Sequence, residues 1–209
     1  MEVLKELYII RHGQTDHNAQ GIVQGKGVNL PLNEMGKQQA RKFFEAYRHI
    51  RFDRLFASSL LRAQQSIELF QQFNIPMEIN EDLDEISWGI MEGQRSTFEN
   101  DVQFKQMLEK WKQGKIHEKF PGGESPYELQ QRQRRFLNYL LTLPEKRVLI
   151  ATHGRYIRSL MCTLTNVDLS NMESFQHVNF CLYKVNYLSD KKFYIERNCD
   201  TVHLQEYIS

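Results

Sequence analysis

The chain reads as an α/β protein, a three-layer sandwich in which helices cover both faces of a mostly parallel central sheet. Three observations predict this. Short apolar runs alternate with stretches of helical periodicity from end to end, the order that builds parallel strands joined by crossover helices. Two of the runs, Leu7-Tyr8-Ile9-Ile10 and Val148-Leu149-Ile150-Ala151, are unbroken by polar residues, as strands covered on both faces are. Each leads into a histidine followed by glycine, His12-Gly13 and His153-Gly154, and ligands bind at the carboxyl edge of such sheets.

The elements follow in order. Strands are expected at Leu7–Arg11, Arg54–Ala57, Met77–Ile79, Val148–Thr152, Asn179–Val185 and Lys192–Arg197. Ala40, Phe43, Phe44 and Tyr47 fall on one face of a helix beginning near Asn33, and Leu60, Ala63, Ile67 and Phe70 on one following Ser58-Ser59. Leu129, Phe136, Leu137, Leu140 and Leu141 mark a third helix, and Ile157, Leu160, Met161 and Leu164 a fourth. The third has a strong start signal: Ser125 as cap, Pro126 at the first helical position and Glu128 to close a capping box. Between Gly93 and Gly123 runs a polar, lysine-rich stretch that carries Phe98, Phe104, Trp111 and Phe120. It is read as an insertion, about residues 94–123, forming a partial lid over the carboxyl edge; a solvated surface helix is the competing reading.

Composition narrows the function classes. With 209 residues, 41% of them apolar, the chain can bury one substantial core, and 1–209 reads as a single domain without repeats or linkers. Lys and Arg number 27 against 26 for Asp and Glu, a net charge of +1, so neither nucleic acid nor a membrane surface is an expected partner. The charged start, Met1-Glu2-Val3-Leu4-Lys5-Glu6, lacks the apolar core of a signal peptide, and no stretch approaches a membrane span. Three cysteines, Cys162, Cys181 and Cys199, have no motif spacing and read as free thiols in a reducing compartment. A cytoplasmic location is expected.

The chemistry gathers at the two histidines. An imidazole at a strand end can be a nucleophile, a base or a metal ligand, and its neighbours decide which. Arg11 directly precedes His12, and Arg62 lies in the first turn of the helix after a third strand. Cations beside paired imidazoles repel a metal ion and attract an anion, so the expectation is an oxyanion pocket around a reactive imidazole, with no metal and no cofactor. Gly13 and Gly154 remove side chains where backbone must approach a ligand closely. His49, His117, His177 and His203 fall outside every motif and read as surface or packing residues, His17 as solvated, and Arg132, Arg134 and Arg135 as a polar helix face.

Seven blocks, in order, carry a resemblance to a known family. They are Arg11-His12-Gly13-Gln14-Thr15 with Asn18; Gln24-Gly25; Pro31-Leu32-Asn33-Glu34-Met35-Gly36-Lys37-Gln38-Gln39-Ala40; Ser58-Ser59-Leu60-Leu61-Arg62-Ala63; Leu83-Asp84-Glu85-Ile86-Ser87-Trp88-Gly89-Ile90-Met91-Glu92-Gly93; Pro121-Gly122-Gly123-Glu124-Ser125; and Thr152-His153-Gly154. Together they resemble the histidine phosphatase superfamily, in its phosphoglycerate-mutase-like branch. The resemblance implies that His12 is the nucleophile that takes the phosphoryl group, with Arg11, Arg62 and His153 cradling the phosphoryl oxygens. It implies further contacts from Asn18 and the Gly154 N–H, and substrate contacts near Gln24 and Gly25. From the residues alone Asp82, Asp84 and Glu85 are equal candidates for a proton donor; the resemblance selects Glu85. Trp88, close behind it, is read either as a wall of the substrate pocket or as core. The segment Lys26-Gly27-Val28-Asn29-Leu30 departs from the shorter, aspartate-containing stretch of many relatives, which leaves the pocket rim open.

Three functions follow as expectations. The first is a metal-independent phosphomonoesterase acting on a small phosphorylated metabolite through phosphorylated His12. The second is a phosphoglycerate mutase; against it, Ile86 rather than a basic residue follows Glu85, and the one close arginine pair, Arg134-Arg135, lies beyond the capping box. The third is a regulator that binds phosphorylated ligands without turnover, disfavoured because Arg11, His12, Arg62, Glu85 and His153 are all present. An edge strand near the carboxyl end offers a surface for a homodimer.

Overall fold

A computed structural model describes residues 1–205. Six strands form one sheet in the order β3-β2-β4-β1-β5-β6: β1 Val3–Arg11, β2 Arg54–Ala57, β3 Met77–Ile79, β4 Arg147–Thr152, β5 Leu182–Leu188 and β6 Phe193–Asp200. The first four are mutually parallel, while β5 and β6 run antiparallel at one edge. Six α-helices accompany them among the described residues: α1 Asp16–Ala19, α2 Glu34–Tyr47, α3 Leu61–Ile67, α4 Phe98–Lys112, α5 Pro126–Thr142 and α6 Gly154–Thr165. None is long and apolar enough to cross a membrane.

Alternation along the strands sends neighbouring side chains to opposite faces, and the apolar runs therefore feed two cores. Leu7, Ile9, Phe56, Val148 and Ile150 face α5 and α6, packing with Phe136, Leu140, Ile157 and Met161. Tyr8, Ile10, Leu55, Ala57, Leu149 and Ala151 face α2 and α3, packing with Phe43, Phe44, Ala63 and Ile67. This two-sided burial is the reason the runs contain no polar position.

The expected strands all form, β2 and β3 with the predicted ends and the others with shifted ones. β1 starts at Val3 because antiparallel β5 pairs with it from Val3 to Ile10, and the polar residues that hid this extension are accommodated: Lys5 Nζ donates to the carbonyls of Leu143 and Glu145. β5 starts at Leu182 rather than Asn179, because Phe180 at φ +59° makes a turn there. Asn33 caps α2 through the Gly36 N–H, and the helix after Ser58-Ser59 tightens to a 3₁₀ turn over Glu68–Phe73.

Helix α5 begins as the capping signal predicts, with Ser125 Oγ accepting from the Glu128 N–H and Glu128 Oε2 accepting from the Ser125 N–H. Removing the cap by Ser125→Ala should lower unfolding stability by about 1 kcal/mol. Urea denaturation should show the midpoint falling with the slope unchanged.

Candidate active site

The register of the parallel pair β1·β4 ends with Arg11 opposite Thr152, so the next residues, His12 and His153, leave the sheet side by side. The His12 N–H donates to Thr152 O at 2.9 Å, and the two rings stand with centroids 5.1 Å apart at 55°. Both rings are buried. His12 Nδ1 lies 2.7 Å from Gly13 O. A carbonyl only accepts, so Nδ1 carries the ring proton and Nε2 keeps its lone pair. His153 Nε2 lies 2.7 Å from Ser58 Oγ, at the end of β2.

Cations surround this pair. Burial, then Arg62 and Arg11, hold His12 well below the ordinary histidine range. Burial, then Arg62 and His12, do the same for His153. Both rings are therefore neutral at pH 7. Arg62 is itself fully buried, and desolvation pushes it down to about 10, Glu85 opposing and Arg11 adding to the shift. Its two Nη groups donate to the carbonyls of Val28 and Gly25, while Nε has no partner. Arg62 thus braces the unusual rim segment from beneath. Lys26 of that segment lies 3.4 Å from Asp84.

The carboxylate of Glu85 sits at the amino end of α6, where free N–H groups and the helix dipole favour an anion. Oε2 accepts from the Arg155 N–H and Oε1 from the N–H groups of Tyr156 and Ile86, each at 3.0 Å. The loop bearing it is tied to both neighbours. Thr152 Oγ1 donates to Leu83 O at 2.7 Å, and Arg132 donates to Asp82 O at 2.8 Å and Glu85 O at 3.0 Å. Arg132 belongs to a buried fork with Glu124, at 2.8 and 2.9 Å. The expectation of a polar helix face thus fails for Arg132, since its partners come from loops distant in sequence; Arg134 and Arg135 are exposed.

A cavity of about 210 Å³ opens above these groups at the carboxyl edge of the sheet. Arg11, His12, Asn18, Gln24, Glu85 and Gly154 line it as anticipated, and Trp88 is one wall, with Val23 and Phe104 beside it. Arg62, His153 and Gly25 lie outside the lining. The two side chains are fully buried, and a Cβ on Gly25 would collide with the Glu92 carboxylate. Asn18 Oδ1 accepts from Asn179 Nδ2 at 3.2 Å, and the same Asn179 amide donates to His12 O at 3.0 Å.

A family model described as histidine phosphatase superfamily (branch 1) matches residues 7–200. The chain belongs to the histidine phosphatase superfamily. "Uncharacterized phosphatase PhoE" of Bacillus subtilis is 29% identical to it over 88% of this chain and 89% of its own length. "Probable phosphoglycerate mutase GpmB" of Salmonella choleraesuis is 30% identical over 76% of this chain and 74% of its own. Among solved structures, Bacillus stearothermophilus YhfR superposes with a TM-score of 0.84 over 96% of this chain and all of its own, at 23% identity. That likeness establishes a shared fold. By membership the chain is a hydrolase of phosphate esters.

For this histidine phosphatase, the predicted site residues left out four that line the pocket: Val23, Phe104, Arg155 and His177. His177, read as a packing residue, lines the cavity, and its ring would lie 2.8 Å from a Cβ on Gly154. Arg155 lines it too, with its guanidinium 5.5 Å from the Trp88 ring and 5.6 Å from the Trp111 ring, paired to Glu173. Phe104 comes from α4, a helix with few buried residues. The position of Arg155, two residues past a strand-end histidine, was the one available signal; His177 and Phe104 reach the site through folding alone.

The buried rings make stability depend on pH. In the unfolded chain each takes up a proton as the pH falls through about 6.5, whereas in the folded protein both stay neutral to well below that value. The folded state then binds fewer protons, so this stability is complete above about pH 6.5 and is lost on acidification, by up to about 1.4 kcal/mol per pH unit for each ring. His177 and His203, also lowered by burial, act in the same direction. Denaturation curves across that range should show the loss, and His153→Gln should flatten the slope by one ring's share.

Proposed function

We propose that this histidine phosphatase is a metal-independent phosphomonoesterase that hydrolyses small phosphorylated metabolites through a covalent phosphate on His12. The observation that carries the reading is the 2.7 Å contact between His12 Nδ1 and Gly13 O, which leaves Nε2 unprotonated within a ring of arginines. In the first step a P–N bond forms to Nε2 as the ester P–O bond breaks, and the leaving alkoxide takes a proton from Glu85. In the second step water attacks phosphorus, Glu85 removes its proton, the P–N bond breaks and inorganic phosphate departs. Arg11, Arg62 and His153 stabilise the charge of the transferring group, because desolvated donors fixed in place act most strongly where charge develops.

Asn18, Gln24 and the Gly154 N–H complete the contacts to the phosphate, and Gly25 lets the rim approach closely. Trp88 walls the space for the alcohol portion, and α4 with Phe104 serves as a partial lid. The cavity's size and its cationic floor suit a small substrate. We also assign the protein to the cytoplasm, on the strength of its three free thiols, and read the outer edge of β6 as a surface for a second copy. The mutase reading has support from the GpmB likeness; it requires phosphate to return from His12 to a second hydroxyl before water arrives.

Two measurements test this. His12→Ala should lose turnover of a generic aryl phosphate by several orders of magnitude, and the wild-type protein quenched during turnover should carry an acid-labile phosphate on His12. Full activity in the variant would overturn the reading. Glu85→Gln should slow alkyl phosphates by about 10²–10⁴-fold and aryl phosphates, whose leaving groups need less protonation, much less. Equal losses on both would remove Glu85 from the acid role. With a phosphoglycerate, free phosphate rather than an isomer is the expected product.

A further inference from the structure

A chain of buried hydrogen bonds runs from His153 away from the cavity. His153 Nε2 is 2.7 Å from Ser58 Oγ, and Ser58 Oγ is 2.9 Å from Asp84 Oδ1. The Leu60 N–H also points to Ser58 Oγ, at 3.1 Å. All three side chains are buried, with His153, Ser58 and Asp84 each at 0% exposure. Asp84 further accepts from the Ser59 N–H at 2.8 Å and from Ser59 Oγ at 2.9 Å, and Lys26 Nζ lies 3.4 Å from it. Among three candidate proton donors at 82, 84 and 85, Asp84 therefore points away from the cavity and into this chain.

The proton positions follow from valence. A serine hydroxyl has one hydrogen and two lone pairs. An ionised carboxylate only accepts, so the Ser58 hydrogen must go to Asp84; turned elsewhere, it would leave a buried carboxylate facing a bare oxygen at 2.9 Å. The lone pairs of Ser58 then take the Leu60 N–H and a hydrogen from His153. That hydrogen can only sit on Nε2, and Nδ1, buried and without a partner among the described residues, is left as the ring's free nitrogen.

We propose that Asp84 is a positioning residue for phosphoryl transfer: through the Ser58 hydroxyl it fixes the His153 proton on Nε2 and keeps Nδ1 open to take a second proton. The proposal rests on the reading of His153 as part of the phosphate cradle. Burial, then Arg62, His12, Arg132 and Arg11, keep the ring neutral. An arriving phosphate offsets the arginine charges, Nδ1 takes its second proton from solvent or from the phosphate itself, and that N–H then donates to a phosphoryl oxygen. The imidazolium charge is shared with Asp84 along the Ser58 bridge. Lys26, from the atypical rim, balances Asp84 while the site is empty, so the departure at residues 26–30 and the relay belong together.

The test combines spectroscopy with kinetics on the full chain. Long-range ¹H–¹⁵N correlation spectra near pH 7, assigned with His153→Gln, should show neutral His153 with its proton on Nε2. In Asp84→Ala the Ser58 hydroxyl is free to turn toward the ring, and the proton should move toward Nδ1. Asp84→Asn, which keeps the acceptor oxygen but loses the charge, should retain the tautomer and lower kcat about 10–100-fold with KM little changed. In a Ser58→Ala background, where the bridge is gone, Asp84→Asn should produce no further loss. A wild-type proton on Nδ1, or an Asp84→Asn effect of equal size in both backgrounds, would overturn the proposal. The wild-type spectrum decides even if a variant fails to fold. An absence of turnover in the wild-type protein would instead count against the phosphatase reading, and the tautomer measurement would stand apart from it.

Discussion

Six residue pairs hold β1 to β4 in parallel register, from Glu6 with Arg147 to Arg11 with Thr152, and everything at the site is measured from where that ladder stops. Because the strands are parallel and end together, the residues that follow them leave at the same height, and two imidazoles meet with 5.1 Å between centroids. The next strand outward, β2, pairs with β4 up to Ala57 opposite Ala151. It therefore brings Ser58 level with Thr152, one residue before His153, and starts α3 so that Arg62 acts on both rings. A one-residue slip of β1 against β4 would turn its core residues to the wrong faces, so the packing that stabilises the sheet also fixes the site.

Around the two rings the charge is unbalanced. Arg11 and Arg62 are both desolvated, and Arg11 repels Arg62; Glu85 opposes the shift of each, joined at Arg62 by Asp84 and Glu92. Such an arrangement is costly while empty and favours the ligand that neutralises it, since a doubly charged oxyanion gains from each cation without the cations having to move. The histidines stay neutral for the same reason, and neutrality is what a nucleophilic nitrogen needs. The acid is held differently. Glu85 rests on the amino end of α6 while Arg132 grips its backbone carbonyl, so its position depends on a buried arginine–glutamate fork on α5 and the loop before it.

The outer part of the cavity is built from other materials. Trp88, Phe104, Trp111 and Phe120 stack into an aromatic group, with Trp88 and Trp111 rings 5.7 Å apart, and the Arg155 guanidinium lies against both tryptophans. Through these contacts α4 is anchored at the carboxyl edge by a few large side chains, while most of its surface stays in water. The phosphate end of the site is thus set by the sheet and the alcohol end by loops and a lightly attached helix, the division under which one scaffold can serve many substrates.

Local pattern was enough for the sheet strands, the helix starts at Asn33 and Ser125, and the placement of Arg11 and His12 at one edge, whereas Glu85 was singled out from Asp82 and Asp84 only by the family resemblance. Those features rest on periodicity, capping and strand ends, all of which act over a few residues. Burial depth was beyond its reach. Arg132 looked like part of a polar helix face and is locked in a fork with Glu124; His177 looked like a surface or packing residue and lines the cavity; Arg62 and His153 are fully buried outside the lining. Each outcome depends on partners outside the residue's own element: Glu124, in the loop just before α5, and the distant backbone of residues 82 and 85 for Arg132, and the carbonyls of Gly25 and Val28 for Arg62. The link from Asp84 through Ser58 to His153 spans 26 and then 95 positions, and no short-range signal encodes it. Chain order determined which groups stand at the strand ends; tertiary packing decided which of them are dry, which are paired, and where their protons sit, because desolvation and hydrogen bonding depend on what lies across space.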